Sequence, residues 1–185
     1  MAERIEDIIT PKVRQALRFA EKWHEGQYRK DGKTPYIMHP RAVLKLALES
    51  PWHFTEDELC VMVLHDCIED TDCTFEDIYK EFGEDVAGMV WLVSKPNEKH
   101  FSSKIYEANL KWTSPVVIAI KLLDNLHNVS DLDGVTDDFR RKLIVRVERF
   151  AGQLLDILRM HGDVWHNYSN WVYSKLQEAL RKARS

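Results

Sequence analysis

The sequence predicts an all-α fold, a helical bundle. Apolar residues recur at helical spacing almost throughout, no segment keeps a strict apolar and polar alternation, and helix-start signals fall where the apolar patterns begin. Val13, Ala16, Leu17, Ala20 and Trp23 set the pattern behind Pro11, which suits a first helical turn, and predict a helix over 11–24. A second follows over 39–49. Thr55 precedes Glu-Asp-Glu and Thr74 precedes Phe-Glu-Asp, both close to a capping box, so helices open there and run over 56–69 and 75–82. Gly, Pro, Asn and Asp signals separate further helices over 84–93, 102–111, 114–131, 137–160 and 163–183. Two stretches read as irregular and basic, EGQYRKDGKTPYI at 25–37 and SKPNEKHFSSK at 94–104.

A chain of 185 residues, 44% hydrophobic and 30% charged, supports one core. The expectation is a single domain over 1–185, with a motif-bearing core at about 11–133 and C-terminal helices at about 137–183. The net charge of −4 and pI near 6.1 argue against a protein that coats a nucleic-acid polymer, which needs broad positive charge to displace counterions. No run approaches the ~18 apolar residues of a membrane span, and the charged N-terminus lacks the apolar stretch of a signal peptide. A cytoplasmic protein with no membrane partner is therefore expected. Cys60, Cys67 and Cys73 are odd in number and form no CxxC pair, so they read as packed thiols.

Two segments carry chemistry. In LHDCIEDT at 64–71, His65, Asp66, Glu69 and Asp70 crowd onto about a turn and a half of helix behind an apolar run. Unpaired carboxylates at the inner end of a buried helix are disfavoured, and a bound cation is the simplest compensation. In IKLLDNLHNVSDL at 120–132, Lys121, Asp124 and Asn128 share one helix face. Asp124 can add an oxygen ligand there, with Lys121 and Asn128 placed to touch a substrate. Standing alone, this segment would read as an ordinary Lys121–Asp124 ion pair. His127 sits one step off the stripe and reads as structural.

His39 in PYIMHP adds an imidazole. His39, His65, Asp66 and Asp124 make a mixed nitrogen and oxygen set without thiolate, which suits manganese, iron, cobalt or zinc. Such an ion promotes phosphoester hydrolysis, with Glu69 and Asp70 placed to orient or deprotonate water. The HExxH, Walker and Rossmann patterns are absent.

In order, HEGQYRKDGKTPYIMHP, VLHDCIEDTDCTFEDIYKEFG and IKLLDNLHNVSDL resemble the hydrolase domain of the RelA/SpoT family, especially its small stand-alone alarmone hydrolases, over about residues 16–132. The resemblance implies an HD-domain helical bundle binding one divalent metal, usually Mn2+, through His39, His65, Asp66 and Asp124. It implies Glu69 and Asp70 as the catalytic acidic pair, with Arg29, Lys30, Tyr36 and Asn128 on the substrate. The implied reaction removes the 3′-diphosphate of ppGpp or pppGpp as pyrophosphate, leaving GDP or GTP. The substrate would be a small phosphorylated nucleotide, and a homo-oligomer is left open.

Departures are Leu-Leu-Asp for the usual LAD, Val93-Ser94-Lys95 for Val-Thr-Lys, and no convincing match to the family's distal phosphate-binding residues after Lys95 or around Arg140, Arg141 and Arg146. Two alternatives stand beside this reading. One is another HD phosphohydrolase acting on ppApp, NADPH or a nucleoside monophosphate. The other is a nucleotide-binding module without turnover. The aromatic stripe of Trp165, Tyr168 and Trp171 in the last helix is expected to pack rather than bind a base.

Overall fold

The structure is a computed structural model that describes residues 8–95 and 103–184. Among these residues the chain forms ten helices and no β-strand. They are α1 (Pro11–Trp23), α2 (Met38–Glu49), α3 (Glu56–Leu64), α4 (Cys67–Asp70), α5 (Phe75–Phe82), α6 (Glu84–Val93), α7 (Ser103–Leu110), α8 (Pro115–Ser130), α9 (Asp137–Arg159) and α10 (Asp163–Arg184).

The helix starts follow from side chains that accept otherwise unpaired N–H groups. Thr10 caps α1 with Pro11 in its first turn, and Ser114 caps α8 with Pro115. Full capping boxes open α3, between Thr55 and Glu58, and α5, between Thr74 and Asp77. Thr136 caps α9.

Two helices form the interior. In α3 every residue from Cys60 to Leu64 is fully buried, and in α8 so are Val117, Ile118, Ala119, Ile120 and Leu123. α1, α2 and α6 pack against α3, while α2, α6, α9 and α10 pack against α8, and the two central helices also touch. Helices apolar all round belong at the centre of a bundle, where each face finds a neighbour. Polar side chains at the inner ends and faces of such helices end up inside, and the fold buries His65 and Asp66 after α3 and Asp124 on α8.

One predicted element is corrected. The helix expected over 56–69 breaks at His65 and Asp66 and restarts as α4. The His65 carbonyl accepts the Ser94 hydroxyl at 2.9 Å, a tertiary bond from the end of α6, while Asp66 turns to φ −99° and ψ −5°. The segment over 25–37 is a turn closed by an isolated antiparallel bridge between Tyr28 and Pro35. Trp165, Tyr168, Val172 and Leu176 are buried, so the stripe on α10 does pack, with Trp165 stacked on Trp52 at 4.2 Å. All three cysteines are free and buried. Among the described residues no helix is long and apolar enough to cross a membrane.

Candidate active site

The break after α3 brings together two side chains that an unbroken helix would point about 100° apart. His65 Nε2 and Asp66 Oδ2 lie 3.1 Å apart. His39, in the first turn of α2, places its Nε2 3.2 Å from His65 Nε2 and 3.2 Å from Asp66 Oδ2. Asp124 of α8 closes the group, its Oδ1 3.3 Å from His39 Nε2 and 3.8 Å from His65 Nε2. All four residues are buried.

The outer nitrogens orient the rings. His65 Nδ1 lies 2.8 Å from the Met62 carbonyl, which only accepts, so Nδ1 carries a proton and Nε2 faces the cluster. His39 Nδ1 lies 2.7 Å from His127 Nδ1. Burial, reinforced by His39 and Arg29, lowers His127 to about 4 and keeps that ring neutral.

The electrostatics call for positive charge. Burial opposes a charged His65, yet Asp66 and Asp124 override it and raise His65 to about 10. Burial also opposes ionised Asp66 and Asp124. Attraction from His65 and His39 for the first, and from Lys121 and both imidazoles for the second, nevertheless holds each well below the usual carboxylate range. Lys121 Nζ sits 2.8 Å from Asp124 Oδ2, its side chain only 12% exposed. Two buried carboxylates thus face one ammonium and hold a proton on His65, a positive charge that a cation bound between the two converging imidazole nitrogens would replace. That donor set fits a divalent cation of the manganese-to-zinc series, and His39, His65 and Asp124 each offer a ligand atom within 4.8 Å of the others.

Beside the cluster lies a cavity of about 650 Å³, of the size that takes a small ligand. Asp66 and Asp124 line it from the buried side, together with the half-buried Glu69 and the exposed Asp70. Glu69 accepts the Lys95 backbone N–H at 2.9 Å. Burial raises its pKa, against the pull of Lys121. The Tyr36 hydroxyl lies 2.6 Å from Asp70 Oδ2 and 2.8 Å from Asp66 Oδ2. Burial and these two carboxylates push the phenol upward, so it stays protonated and donates.

Arg29, Lys30, Lys95, Lys121 and Arg146 also face the cavity, so cationic groups line it beside the acidic ones, Lys121 in direct contact with Asp124. Burial lowers Lys30, whose ammonium sits 3.8 Å from the centre of the Phe139 ring.

The structure therefore brings His39, His65, Asp66 and Asp124 into one cluster, with Glu69, Asp70, Arg29, Lys30, Tyr36, Lys121 and Asn128 around the adjoining cavity. The Lys121–Asp124 ion pair exists, but as part of the cluster rather than in place of it. The sequence reads His127 as structural, and it touches His39; Asp131, which binds Arg29 at 2.9 Å, was not singled out. Sequence reasoning also gave no place in a site to Tyr106, and its comparison of Arg146 with distal phosphate sites found no match, yet both line the cavity. For His127 the signal was present, an imidazole adjacent to the polar stripe of α8. Lys99 and His100, read as part of a basic loop, lie outside the described residues.

Comparison with known proteins gives concordant results. The family model for the HD domain matches residues 16–149. The Drosophila melanogaster guanosine-3′,5′-bis(diphosphate) 3′-pyrophosphohydrolase MESH1 is 35% identical over 156 residues, covering 80% of this chain and 85% of that protein. The Escherichia coli bifunctional (p)ppGpp synthase/hydrolase SpoT is 36% identical over 158 residues, 81% of this chain but 22% of that protein, so the chain spans about a fifth of such long relatives. A solved structure described as a metazoan ortholog of SpoT that hydrolyzes ppGpp superposes with a TM-score of 0.76 at 31% identity, covering 94% of this chain and 96% of that one. A Listeria monocytogenes crystal structure, at a TM-score of 0.62 and 20% identity over 79% of this chain and 98% of that one, shares the fold.

Proposed function

Because the chain belongs to the HD domain family, in the branch that contains SpoT and MESH1, we propose that it is a metal-dependent 3′-pyrophosphohydrolase of guanosine alarmones. It would convert ppGpp or pppGpp and water to GDP or GTP and pyrophosphate. The observation that carries this reading is the arrangement of one cavity. A buried two-histidine, two-carboxylate cluster adjoins it, the Glu69–Asp70 pair lines it, and Arg29, Lys30, Lys95, Lys121 and Arg146 line the same space, the cations a polyphosphate needs.

His39, His65, Asp66 and Asp124 would hold the ion, taken here as a single Mn2+. When bound, it supplies Lewis acidity, lowering the pKa of water at the site and offsetting charge on a phosphoryl oxygen. The chain's own residues do the rest. Glu69, whose pKa burial raises, removes a proton from the attacking water. Asp70, fixed by the Tyr36 hydroxyl, orients that water. Water adds to the phosphorus next to the ribose 3′ oxygen, the bond between them breaks, and the ribose oxygen leaves as the hydroxyl after taking a proton. Lys121 balances charge on the phosphoryl group, Asn128 stands at the substrate and metal-water side, and Arg29 and Lys30 hold the nucleotide.

The same proposal treats residues 1–185 as one hydrolase domain working in the cytoplasm on a free nucleotide. The acidic net charge and the ligand-sized cavity support a small molecule over a nucleic-acid polymer. Chromatography of products from ppGpp, pppGpp, ppApp, NADPH and nucleoside monophosphates tests it. Pyrophosphate and GDP from ppGpp are expected. Inorganic phosphate from a monophosphate or NADPH, with ppGpp intact, would replace the substrate while keeping the HD site.

A further inference from the structure

Arg29 sits on a turn rather than on a helix, yet its side chain is only 8% exposed. The turn is stiffened from within. Arg29 N–H donates to the Thr34 carbonyl at 2.7 Å. The Asp31 carboxylate accepts the Lys33 and Thr34 N–H groups at 2.9 Å each and the Thr34 hydroxyl at 2.6 Å.

It is also held from outside, by the connection between α8 and α9. Asp131 Oδ2 accepts Arg29 Nε at 2.9 Å, and Asn128 Oδ1 accepts Arg29 Nη2 at 3.2 Å. Asn128 in turn donates to Asp124 Oδ1. Gly134, at φ +72°, brings this connection so close to the turn that a Cβ on it would lie 2.7 Å from Asp31 Cα. Phe139, in the first turn of α9, covers the Lys30 ammonium.

We infer that Asp131 is a positioning residue for Arg29. It anchors the guanidinium by its Nε so that the remaining N–H groups and the planar face are presented to the nucleotide in a fixed orientation. A guanidinium fixed before binding loses less rotamer freedom when the ligand arrives. The contact chain Asp131, Arg29, Asn128 and Asp124 also ties the nucleotide-binding turn to the metal cluster. This inference rests on the reading of Arg29 as a nucleotide-binding group.

The test uses Asp131→Ala, Asp131→Asn, Arg29→Ala and the Asp131→Ala/Arg29→Ala double variant. KM and kcat are measured for ppGpp with Mn2+, and exchange of the Arg29 Nε–H is followed by NMR in the nucleotide-free protein. Asp131→Ala should raise KM about tenfold with kcat within about twofold of wild type, and Asp131→Asn should recover most of the loss. In the Arg29→Ala background the same change should add less than about twofold, because the two residues act as one unit. Arg29 Nε–H should exchange at least about tenfold faster in Asp131→Ala. Additive KM effects, or Nε–H exchange unaltered by Asp131→Ala, would overturn the inference. If wild-type protein leaves ppGpp intact, the proposed substrate fails, and the exchange measurement still decides whether Asp131 anchors Arg29.

Discussion

His65 and Arg29 serve the same cleft, but they are held by different means. His65 follows the fully buried Cys60–Leu64 stretch of α3, its ring fixed by the Met62 carbonyl and its own carbonyl by Ser94, in a cluster assembled from α2, the α3–α4 break and α8. Arg29 lies on a turn that reaches the cleft from the side and keeps its pose through polar contacts to Asn128 and Asp131, the latter a 37% exposed side chain. At the acidic end the buried ligands are set by core packing, and on the cationic side Arg29 is set by part-buried hydrogen bonds to the end of α8. Chemistry that needs exact ligand geometry occupies the part of the fold that packing makes rigid, and recognition occupies the part that can be retuned without repacking the core.

If that division is right, substitutions at the acidic end change metal occupancy and kcat, while those on the cationic side change KM. The largest effect is expected for Asp66→Ala, with loss of metal by elemental analysis and a fall in turnover of about a thousandfold or more. Glu69→Gln should bind metal normally yet lose about 10²–10⁴-fold in kcat, since only the proton-transfer group is removed. Full activity in that variant would move the base elsewhere. His127→Phe, which removes the partner of His39 Nδ1, should weaken metal affinity about 10–100-fold while saturating metal restores most of the rate.

Arg29→Ala should raise KM about tenfold or more with kcat largely kept. A drop confined to kcat would break the division between the two sides. The smallest effect is on pH dependence. Glu69 must be ionised to act as a base and burial raises its pKa, so kcat should fall as pH drops through a value above the ordinary 4.5. Lys121 favours the ionised form, so Lys121→Gln should move that acid limb to higher pH.

The same contrast decides what the sequence reveals. The helices were legible because period and caps are local: Thr55, Thr74 and Pro115 announce their elements within a few residues. The candidates His65, Asp66 and Asp124 stood out because they end or interrupt apolar helices, whereas His39, near a helix start, stood out only beside the other three. The break at His65 and Asp66 was not legible, because its partner, Ser94, lies 29 residues away on another helix. His127 looked structural because the ring it meets, His39, is 88 residues distant, and Asp131 drew no notice because Arg29 is 102 residues away. Arg146 and Tyr106 join the cavity only once α9 and α7 are folded beside α8, and nothing local marks them.

The most direct test of the account is the metal dependence of pyrophosphate release from ppGpp. Chelated protein should be inactive, and Mn2+ titrated back should restore turnover in wild type but not in Asp66→Ala. Undiminished turnover in thoroughly chelated protein, or full recovery of Asp66→Ala at the same Mn2+ concentration, would contradict a cation held by this cluster as the centre of the chemistry.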